Sequence, residues 1–497
     1  MSDFVQTKVY KEYHKAGNCL HLKKNIIIMK KIFISSIILL FTSSLIWAQN
    51  DVDALRYSGT YIGGTAKSMS MAGAYGAIGA DASSASFNPA GLGVYQRTEY
   101  AASASLLFTS ADASYRGTTR KDGEEHFNLT NGNMILVNSP NGKVLKKWQF
   151  AFGFNELANY TGYRIMEGRN NENSLIDVYT IDANKNNYTP YEVWETYLVN
   201  VNEQGDYYSV IPDGKDILQR EIKKTSGYHR EMYFSGGFNF NDKIYTGITI
   251  GVPSIKYNDI TTYSEIDDKK MVDCFDHFDL KEKLHTSGMG TNIKLGMIVK
   301  ANDWIRVGAA IHSPTWFDME DHWSSSWSSD IDTAEYVYEV EDGNFDYQLK
   351  TPWKANGSLG FIFGKHGLIN IDLEYVDYAS MRLRSDDYDF MDENEAVNLK
   401  YKAAQNYRIG GEYNLGMMVL RAGYAYYGSP FKNNINDGSR QFVTAGVGYR
   451  SEYFFADLAY VHSSQKENYY PYVLDGVQPA NIKNSTGQFV ATLGVRF

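Results

Sequence analysis

The chain has 497 residues and a formal net charge of −10, and 14% of its residues are aromatic, with 39 Tyr and 43 Gly. An acidic chain without a basic cluster lacks the positive surface from which nucleic-acid recognition starts, so no nucleic-acid partner is expected. The mean hydropathy of −0.39 resembles that of a soluble protein. This value does not exclude a membrane β-barrel, because only alternate residues of a barrel strand face lipid.

The amino terminus carries the pattern of a secretory signal peptide. Two lysines precede the apolar run Ile32–Leu40, and Ala48 supplies a small residue at the cleavage position. We therefore predict a signal peptide over residues 29–48 and interpret residues 1–28 as an over-long extension before the natural start at Met29. These segments together carry seven Lys and two acidic residues, so their removal changes the formal net charge from −10 to −15.

The next segment, residues 49–98, is rich in Gly, Ala and Ser and shows no alternation of apolar and polar residues. It is too long for one strand and too polar for lipid, so we predict a luminal hatch, or plug, inside a barrel. Within it, the sequence Asn88-Pro89-Ala90-Gly91 predicts a short helical turn. Asn88 caps this turn, Pro89 takes its first position and Gly91 closes it.

Residues 99–497 contain many segments in which apolar and polar residues alternate with a period of two, as in strands with one apolar face. The last segment alternates through Phe489 and Leu493 and ends at Phe497. A terminal aromatic residue is similar to the signal that bacterial barrel-assembly machinery reads, so Phe497 is a predicted assembly signal. Strands are predicted at 99–110, 131–138, 147–156, 229–240, 243–257, 285–300, 303–313, 353–363, 367–379, 398–412, 416–427, 441–450, 453–463 and 486–497.

The connections between these strands alternate in length. Tight turns such as Asn241-Asp242 join the two strands of a hairpin, and long polar stretches separate one hairpin from the next, among them residues 155–228 and 314–351. Short periplasmic turns and long outer loops are typical of bacterial outer-membrane barrels, which also have even strand numbers. We predict an all-β fold, a transmembrane antiparallel β-barrel of about 14 strands over residues 99–497, in the bacterial outer membrane.

Three acidic residues, Asp372, Glu374 and Asp457, fall on the polar faces of predicted strands. They are candidates for tuning the lumen or contacting the hatch, although the wet face of any barrel accounts for them equally simply. Acidic clusters around Cys274 and around His322 contain metal-ligand types without a complete ligand spacing. We interpret both as solvated loops and predict no metal and no other cofactor.

Two runs in the predicted hatch, GTAKSMSMAGA at residues 64–74 and DASSASFNPAGL at residues 81–92, resemble the amino-terminal hatch of the FadL/TodX family. Members of this family are outer-membrane transporters of hydrophobic compounds, and the Asn-Pro-Ala element is their most recognisable hatch motif. The small-residue run is similar to versions common in the Bacteroidota, some of which are labelled hemin receptors.

The resemblance implies passive, gradient-driven uptake of long-chain fatty acids or similar molecules. These adsorb at an outer groove, enter a pocket and leave laterally through a kinked wall strand as the hatch rearranges. Implied partners are such hydrophobic molecules, outer-membrane lipid and lipopolysaccharide, and the barrel-assembly machinery. Haem is a candidate ligand through the label alone, because the sequence pairs none of the eight histidines after residue 48 as axial ligands.

Three other functions were compared with transport. A barrel enzyme is disfavoured because no Gly-x-Ser-x-Gly motif or other nucleophile constellation is present, and we predict that the chain is not an enzyme. An open porin is disfavoured by the hatch. A secretion-associated or structural barrel that binds protein partners stays open, since relatives of the family in the same bacteria serve a protein-secretion system.

Overall fold

The structure is a computed structural model that describes residues 51–140, 142–433 and 436–497. The predicted extension, residues 1–28, and the predicted signal peptide, residues 29–48, lie outside the described residues. No helix in the described ranges is long and apolar enough to cross a membrane.

The described chain is dominated by strands. In chain order these are β1 (Glu99–Tyr115), β2 (Thr118–Asn138), β3 (Leu145–Asn159), β4 (Gly162–Asn170), β5 (Val199–Val201), β6 (Tyr207–Ser209), β7 (Ile217–Phe240), β8 (Ile244–Ile266), β9 (Phe275–Lys300), β10 (Ile305–His312), β11 (Trp316–Ile331), β12 (Ala334–Glu339), β13 (Gly343–Lys350), β14 (Lys354–Ile362), β15 (Gly367–Asp377), β16 (Arg382–Arg384), β17 (Ala403–Leu415), β18 (Met418–Tyr427), β19 (Arg440–Arg450), β20 (Phe454–Tyr469) and β21 (Ala480–Arg496).

Helical segments are short and lie before or between the strands. They are α1 (Asp51–Ser58), α2 (Ala66–Ser70), α3 (Ser84–Phe87), a 3₁₀ helix (Pro89–Val94), α4 (Leu175–Asn186), α5 (Tyr191–Glu195), a second 3₁₀ helix (Tyr378–Ser380) and α6 (Met391–Lys400).

Fourteen strands form a closed antiparallel barrel, in the order β1, β2, β3, β7, β8, β9, β10, β14, β15, β17, β18, β19, β20 and β21. The barrel closes where β1 pairs with β21, from Glu99 opposite Arg496 to Ser114 opposite Asn481. Closure leaves no edge strand, so each of the fourteen strands pairs with a neighbour on either side along at least part of its length. The predicted fourteen-stranded barrel is confirmed.

The outer face of the wall is apolar because side chains alternate along each strand. On β8, Ile248 and Ile250 point outward and are 42% and 51% exposed, whereas Thr249 between them is fully buried. Rows of exposed isoleucines contact the hydrocarbon of the membrane favourably, while the polar residues at the alternate positions face the lumen. The predicted turn at Asn241-Asp242 is also present, with φ of 54° and 55°, the left-handed geometry of a tight hairpin turn.

The long stretches expected to be polar loops are more ordered than predicted. Residues 155–228 contain β4, α4, α5 and the small β5–β6 hairpin, and residues 314–351 contain β11, β12 and β13. All of these elements except β4 and β13 contribute to an apolar cluster around Ile176, Phe278 and Trp327. The barrel strands therefore continue beyond the apolar band, and a second hydrophobic core covers the loop end.

The wall is interrupted in two regions. Backbone pairing between β2 and β3 runs from Asn138 opposite Trp148 to Asn131 opposite Asn155, and β2 then continues to pair with β1 alone. In the second region, Pro314 separates β10 from β11, and Pro352 separates β13 from β14.

Candidate functional site: the lumen and the interrupted wall

The N-terminal segment, residues 51–98, is folded against the inner wall of the barrel. The Ala66 amide donates to Thr492 Oγ1 at 2.7 Å, and Thr444 Oγ1 donates to the Ser70 carbonyl oxygen at 2.9 Å. Most residues of the segment are buried. Burial also lowers the pKa of Lys67, against the opposing effect of Asp81.

The Asn-Pro-Ala element has the predicted local geometry. Asn88 caps the 3₁₀ helix by accepting a hydrogen bond from the Ala90 amide at 3.2 Å, and Pro89 takes the first position. Asn88 Nδ2 also donates to the Gly76 carbonyl oxygen at 2.6 Å. The predicted end at Gly91 is wrong, because the 3₁₀ helix continues to Val94.

Two wall glycines make room for this element. A Cβ atom on Gly237 of β7 would lie 2.6 Å from the Gly93 amide nitrogen, and one on Gly296 of β9 would overlap the side-chain oxygen of Asn88. Any larger residue would push the 3₁₀ helix away from the wall. The sequence alone did not identify these glycines, since glycine is frequent throughout the chain.

Asp372, one of the predicted luminal residues, contacts the N-terminal segment directly. Its Oδ2 atom accepts hydrogen bonds from the amides of Tyr75 and Gly76 at 3.0 and 3.2 Å. The side chain is 2% exposed. Charge-assisted hydrogen bonds of this kind are stronger than neutral ones, so Asp372 fixes this part of the segment to β15.

Glu374, two residues further on β15, belongs to a buried charged cluster. Arg408 Nη1 lies 3.6 Å from Glu374 Oε2, and Asn406 Nδ2 donates to Glu374 Oε1 at 2.7 Å. Lys354 Nζ reaches across to Thr60 Oγ1 in the segment, at 2.5 Å. The lumen is therefore polar and charged at this level.

A small cavity of about 40 Å³ lies between this cluster and the segment, and both His229 and His312 line it. His312 Nε2 donates to the Phe87 carbonyl oxygen at 2.9 Å. Such a volume holds a few water molecules. It is far too small for a haem macrocycle, since cofactor pockets measure about 300 Å³ or more. The cavity therefore does not fit haem.

Asp457, the third predicted luminal residue, has different partners. Arg421 Nη1 donates to its Oδ1 at 2.7 Å, and Arg450 Nη2 donates to its two oxygens at 2.8 and 2.9 Å. Both arginines belong to the wall. The structure thus brings Asp372 and Glu374 together around Arg408 and gives Asp457 a separate ion-pair network.

Another buried ion pair was missed by the sequence analysis. Lys294 of β9 contacts Glu231 of β7, and both side chains are almost completely buried. Ser86 Oγ of the segment donates to Glu231 Oε2 at 2.7 Å and accepts a bond from Asn155 Nδ2 at 2.9 Å. Nothing local in the sequence pairs these residues, which lie on three different strands and a helix.

Where β2 and β3 separate, the N-terminal segment covers the inside of the wall. The pairing of β3 with β7 shifts register between Glu156 and Ala158, as in a β-bulge. The Tyr61 amide donates to the Leu157 carbonyl oxygen at 2.9 Å. Gly63 lies so close to the Glu156 carbonyl that a Cβ atom there would overlap it.

Behind this separation lies a second cavity of about 80 Å³. Its lining combines apolar groups from the segment, Ile62 and Met69, with Leu107, Leu157 and Phe442 of the wall. Polar groups, among them Thr130, Glu156 and Gln488, complete the lining, and the cavity lies beside the place where wall pairing ends.

The last residue, Phe497, lies at the turn end of the closed seam. Its amide donates to the Thr98 carbonyl oxygen at 3.0 Å, and its ring lies 5.9 Å from that of Tyr100. The side chain is 71% exposed on the outside of the barrel. In the ranges that the structure describes, no group of three or more His, Cys, Asp or Glu residues is arranged to hold a metal ion.

Comparison with protein families gives one match. Residues 236–472 match the model of the family described as "Outer membrane protein transport protein (OMPP1/FadL/TodX)". No curated protein sequence matches the chain. Together with the closed barrel and its apolar outer face, this match identifies the chain as an outer-membrane protein of the bacterial type.

Solved structures show the same fold. A FadL homologue of Pseudomonas aeruginosa is 12% identical, with a TM-score of 0.55 over 88% of this chain and 99% of its own. The toluene transporter TbuX of Ralstonia pickettii is 14% identical, with a TM-score of 0.52 over 88% and 99%. The toluene transporter TodX of Pseudomonas putida is 14% identical, with a TM-score of 0.51 over 87% and 98%.

Proposed function

We propose that this chain is a member of the FadL/TodX family and carries hydrophobic molecules across the outer membrane by passive uptake. The observation that supports it best is the separation of β2 from β3, which the N-terminal segment covers and which is backed by a cavity with both apolar and polar groups in its lining. A filled lumen opposes the flow of water-soluble solutes. A side exit instead delivers an apolar molecule directly into hydrocarbon, which is where its transfer is favourable.

In this proposal the N-terminal segment, residues 49–98, is the hatch. It occupies the lumen and bonds to β3 beside the separation through Tyr61. Its Asn88, Pro89, Ala90 and Gly91 element anchors it at Gly296 of β9, three strands along the wall from β3. Movement near Tyr61 would enlarge the cavity behind β3 while this anchor stays in place.

We propose long-chain fatty acids or similar apolar molecules as the substrates. The walls of the 80 Å³ cavity suit an acyl chain once the hatch has moved, and the charged cluster around Lys354 and Arg408 offers polar groups for a head. Uptake would be driven by the substrate gradient alone. Lipopolysaccharide would surround the apolar outer face, and the barrel-assembly machinery would recognise Phe497.

Purified protein reconstituted in liposomes tests this function. We expect uptake of oleate, measured by a fluorescent fatty-acid sensor inside the vesicles, and we expect it to fall when residues 49–98 are locked to the wall by cross-linking. Uptake equal to that of liposomes with an unrelated barrel would contradict the proposal. A stoichiometric protein partner that co-purifies with a substrate-free barrel would favour the secretion-associated alternative instead.

A further inference from the structure

Beyond Asn131 and Asn155, where the pairing of β2 with β3 ends, the two parts of the wall overlap. We call this overlap the joint. Here the inner face of β2 lies against β4 and β7, and side chains alone connect them. Ion pairs join Arg120 to Glu167 at 2.6 Å and Lys224 to Glu124 at 2.9 Å. Lys224 and Glu124 are 53% and 28% exposed, so this pair contributes little to closure. Glu167 is more buried, and it is also paired with Arg220 of β7 at 3.1 Å.

At the base of the joint, one polar contact is buried. Asn128 of β2 and Glu156 of β3 are 4% and 5% exposed, and Asn128 Nδ2 donates to Glu156 Oε1. Arg230 of β7 donates through Nε to Glu156 Oε2 at 3.3 Å and through Nη2 to Asn128 Oδ1. The three side chains therefore close a ring of hydrogen bonds across the joint.

The residues on either side of Glu156 are bonded to the N-terminal segment. Asn155 donates to Ser86, and the Leu157 carbonyl accepts from Tyr61. Because Glu156 sits in the bulge between them, its position depends on both contacts. Movement of the segment away from β3 removes them and frees the bulge to shift.

The outside of the joint is apolar. Phe127 and Leu129 flank Asn128 on β2, point outward and are 62% and 51% exposed. A molecule that passes between β2 and β3 thus meets hydrocarbon-facing side chains immediately beyond the polar ring.

We infer that Asn128, Glu156 and Arg230 form a latch that holds the lateral exit shut and opens when the N-terminal segment leaves β3. This inference rests on the proposed function and assigns positioning residues to it. The latch keeps a lipid-facing opening closed to water and ions, and it makes exit depend on the state of the segment.

The test compares Glu156→Gln with Glu124→Gln. The first variant puts an amide N–H₂ beside the guanidinium of Arg230 and removes the charge of the latch. The second changes the partly exposed pair with Lys224 in the same joint. We expect initial oleate uptake into proteoliposomes to rise about five-fold for Glu156→Gln, the order of shift expected from one lost charge-assisted hydrogen bond. We expect no change for Glu124→Gln.

A second readout does not depend on transport. A cysteine at Ala158, behind the latch, should react with a lipid-soluble maleimide several times faster in the Glu156→Gln background, with Cys19 and Cys274 replaced by serine. Heat-modifiable migration on gels confirms that each variant is a folded barrel. Unchanged uptake together with unchanged labelling would overturn the latch.

A cross-link separates failure of the latch from failure of the exit. Asn128→Cys with Glu156→Cys, joined by a short bis-maleimide, should abolish uptake. If the cross-link abolishes uptake while Glu156→Gln has no effect, the latch is wrong and the lateral exit stands. If the cross-linked protein transports oleate at the normal rate, the lateral exit itself is wrong.

Discussion

The two interruptions of the wall differ in what remains between the strands. Between β2 and β3, backbone pairing ends at Asn131 and Asn155 and does not resume along β2. At Pro314 and Pro352, pairing resumes on the far side, because β11 pairs with β13 beyond the break. The first region depends on side chains for closure, and the second keeps its backbone ladder.

The proline region is also bridged inside the break. The Thr351 amide donates to the Thr315 carbonyl oxygen at 3.0 Å, and the Thr315 amide donates to Thr351 Oγ1 at 2.8 Å. The Ser313 amide is bonded to Ile293 of the uninterrupted strand β9. A proline therefore bends this wall without opening it, since neighbouring strands supply the missing bonds. Under the proposed function, only the β2–β3 region, where no neighbour continues the pairing, forms an exit.

The largest expected effect comes from closing each region covalently. A bis-maleimide cross-link between Thr315→Cys and Thr351→Cys, with Cys19 and Cys274 replaced by serine, should leave oleate uptake at the uncross-linked rate. The corresponding link at Asn128 and Glu156 should abolish it. The same untreated double variants are the controls. Loss of uptake from the proline-side link would mean that both regions open.

The next effect concerns the buried pair beside the latch. Lys294→Met leaves Glu231 charged and unpaired, which should lower the free energy of unfolding by about 3–5 kcal/mol. Urea unfolding in detergent micelles measures it. The double variant Glu231→Leu, Lys294→Met should recover most of the loss, because it leaves no buried charge. Equal stability of the single variant and the native protein would contradict this account.

A smaller effect is expected where the segment is fixed to β15, on the proline side. Asp372→Asn weakens two charge-assisted bonds to the Tyr75 and Gly76 amides, which should cost about 1.5–3 kcal/mol. Limited proteolysis of residues 49–98 should become faster. Asp457→Asn is the matched control, because Asp457 is bonded to Arg421 and Arg450 of the wall. In this variant the segment should stay as resistant to proteolysis as in the native protein.

The smallest effect tests the bridge inside the proline region. Thr351→Val removes the hydroxyl that accepts from the Thr315 amide and should lower the free energy of unfolding by about 1 kcal/mol. Oleate uptake should not change, and Thr351→Ser should restore the stability. Faster uptake by Thr351→Val would show that side-chain closure limits transport here as well.

Local patterns in the sequence determined the barrel. The period of two along β8 or β21 reports which side chains face lipid, and this property needs no knowledge of distant residues. The cap at Asn88 and Pro89 and the turn at Asn241-Asp242 are local for the same reason. The strand number and these two features were therefore predicted correctly.

Tertiary structure decided the rest. Beyond the apolar band, β11 still alternates, but it buries Phe317 and Met319 on one face and exposes charged residues such as Asp318 on the other. The outward row of apolar residues that marks a lipid-facing strand is therefore missing, and residues 314–351 were predicted as a loop. The end of the 3₁₀ helix depends on packing against Gly237, which is why Gly91 was wrongly expected to close it.

The lumen shows the same limit most clearly. The roles of Glu231, Lys294 and Arg408 were not predicted, because each role depends on contact with a residue of another strand. The proposed latch was equally hidden: Asn128, Glu156 and Arg230 meet just beyond the last paired residues of β2 and β3, beside a bulge in the pairing of β3 with β7. Periodicity specifies which face a residue occupies, whereas contacts between distant strands specify what it does there.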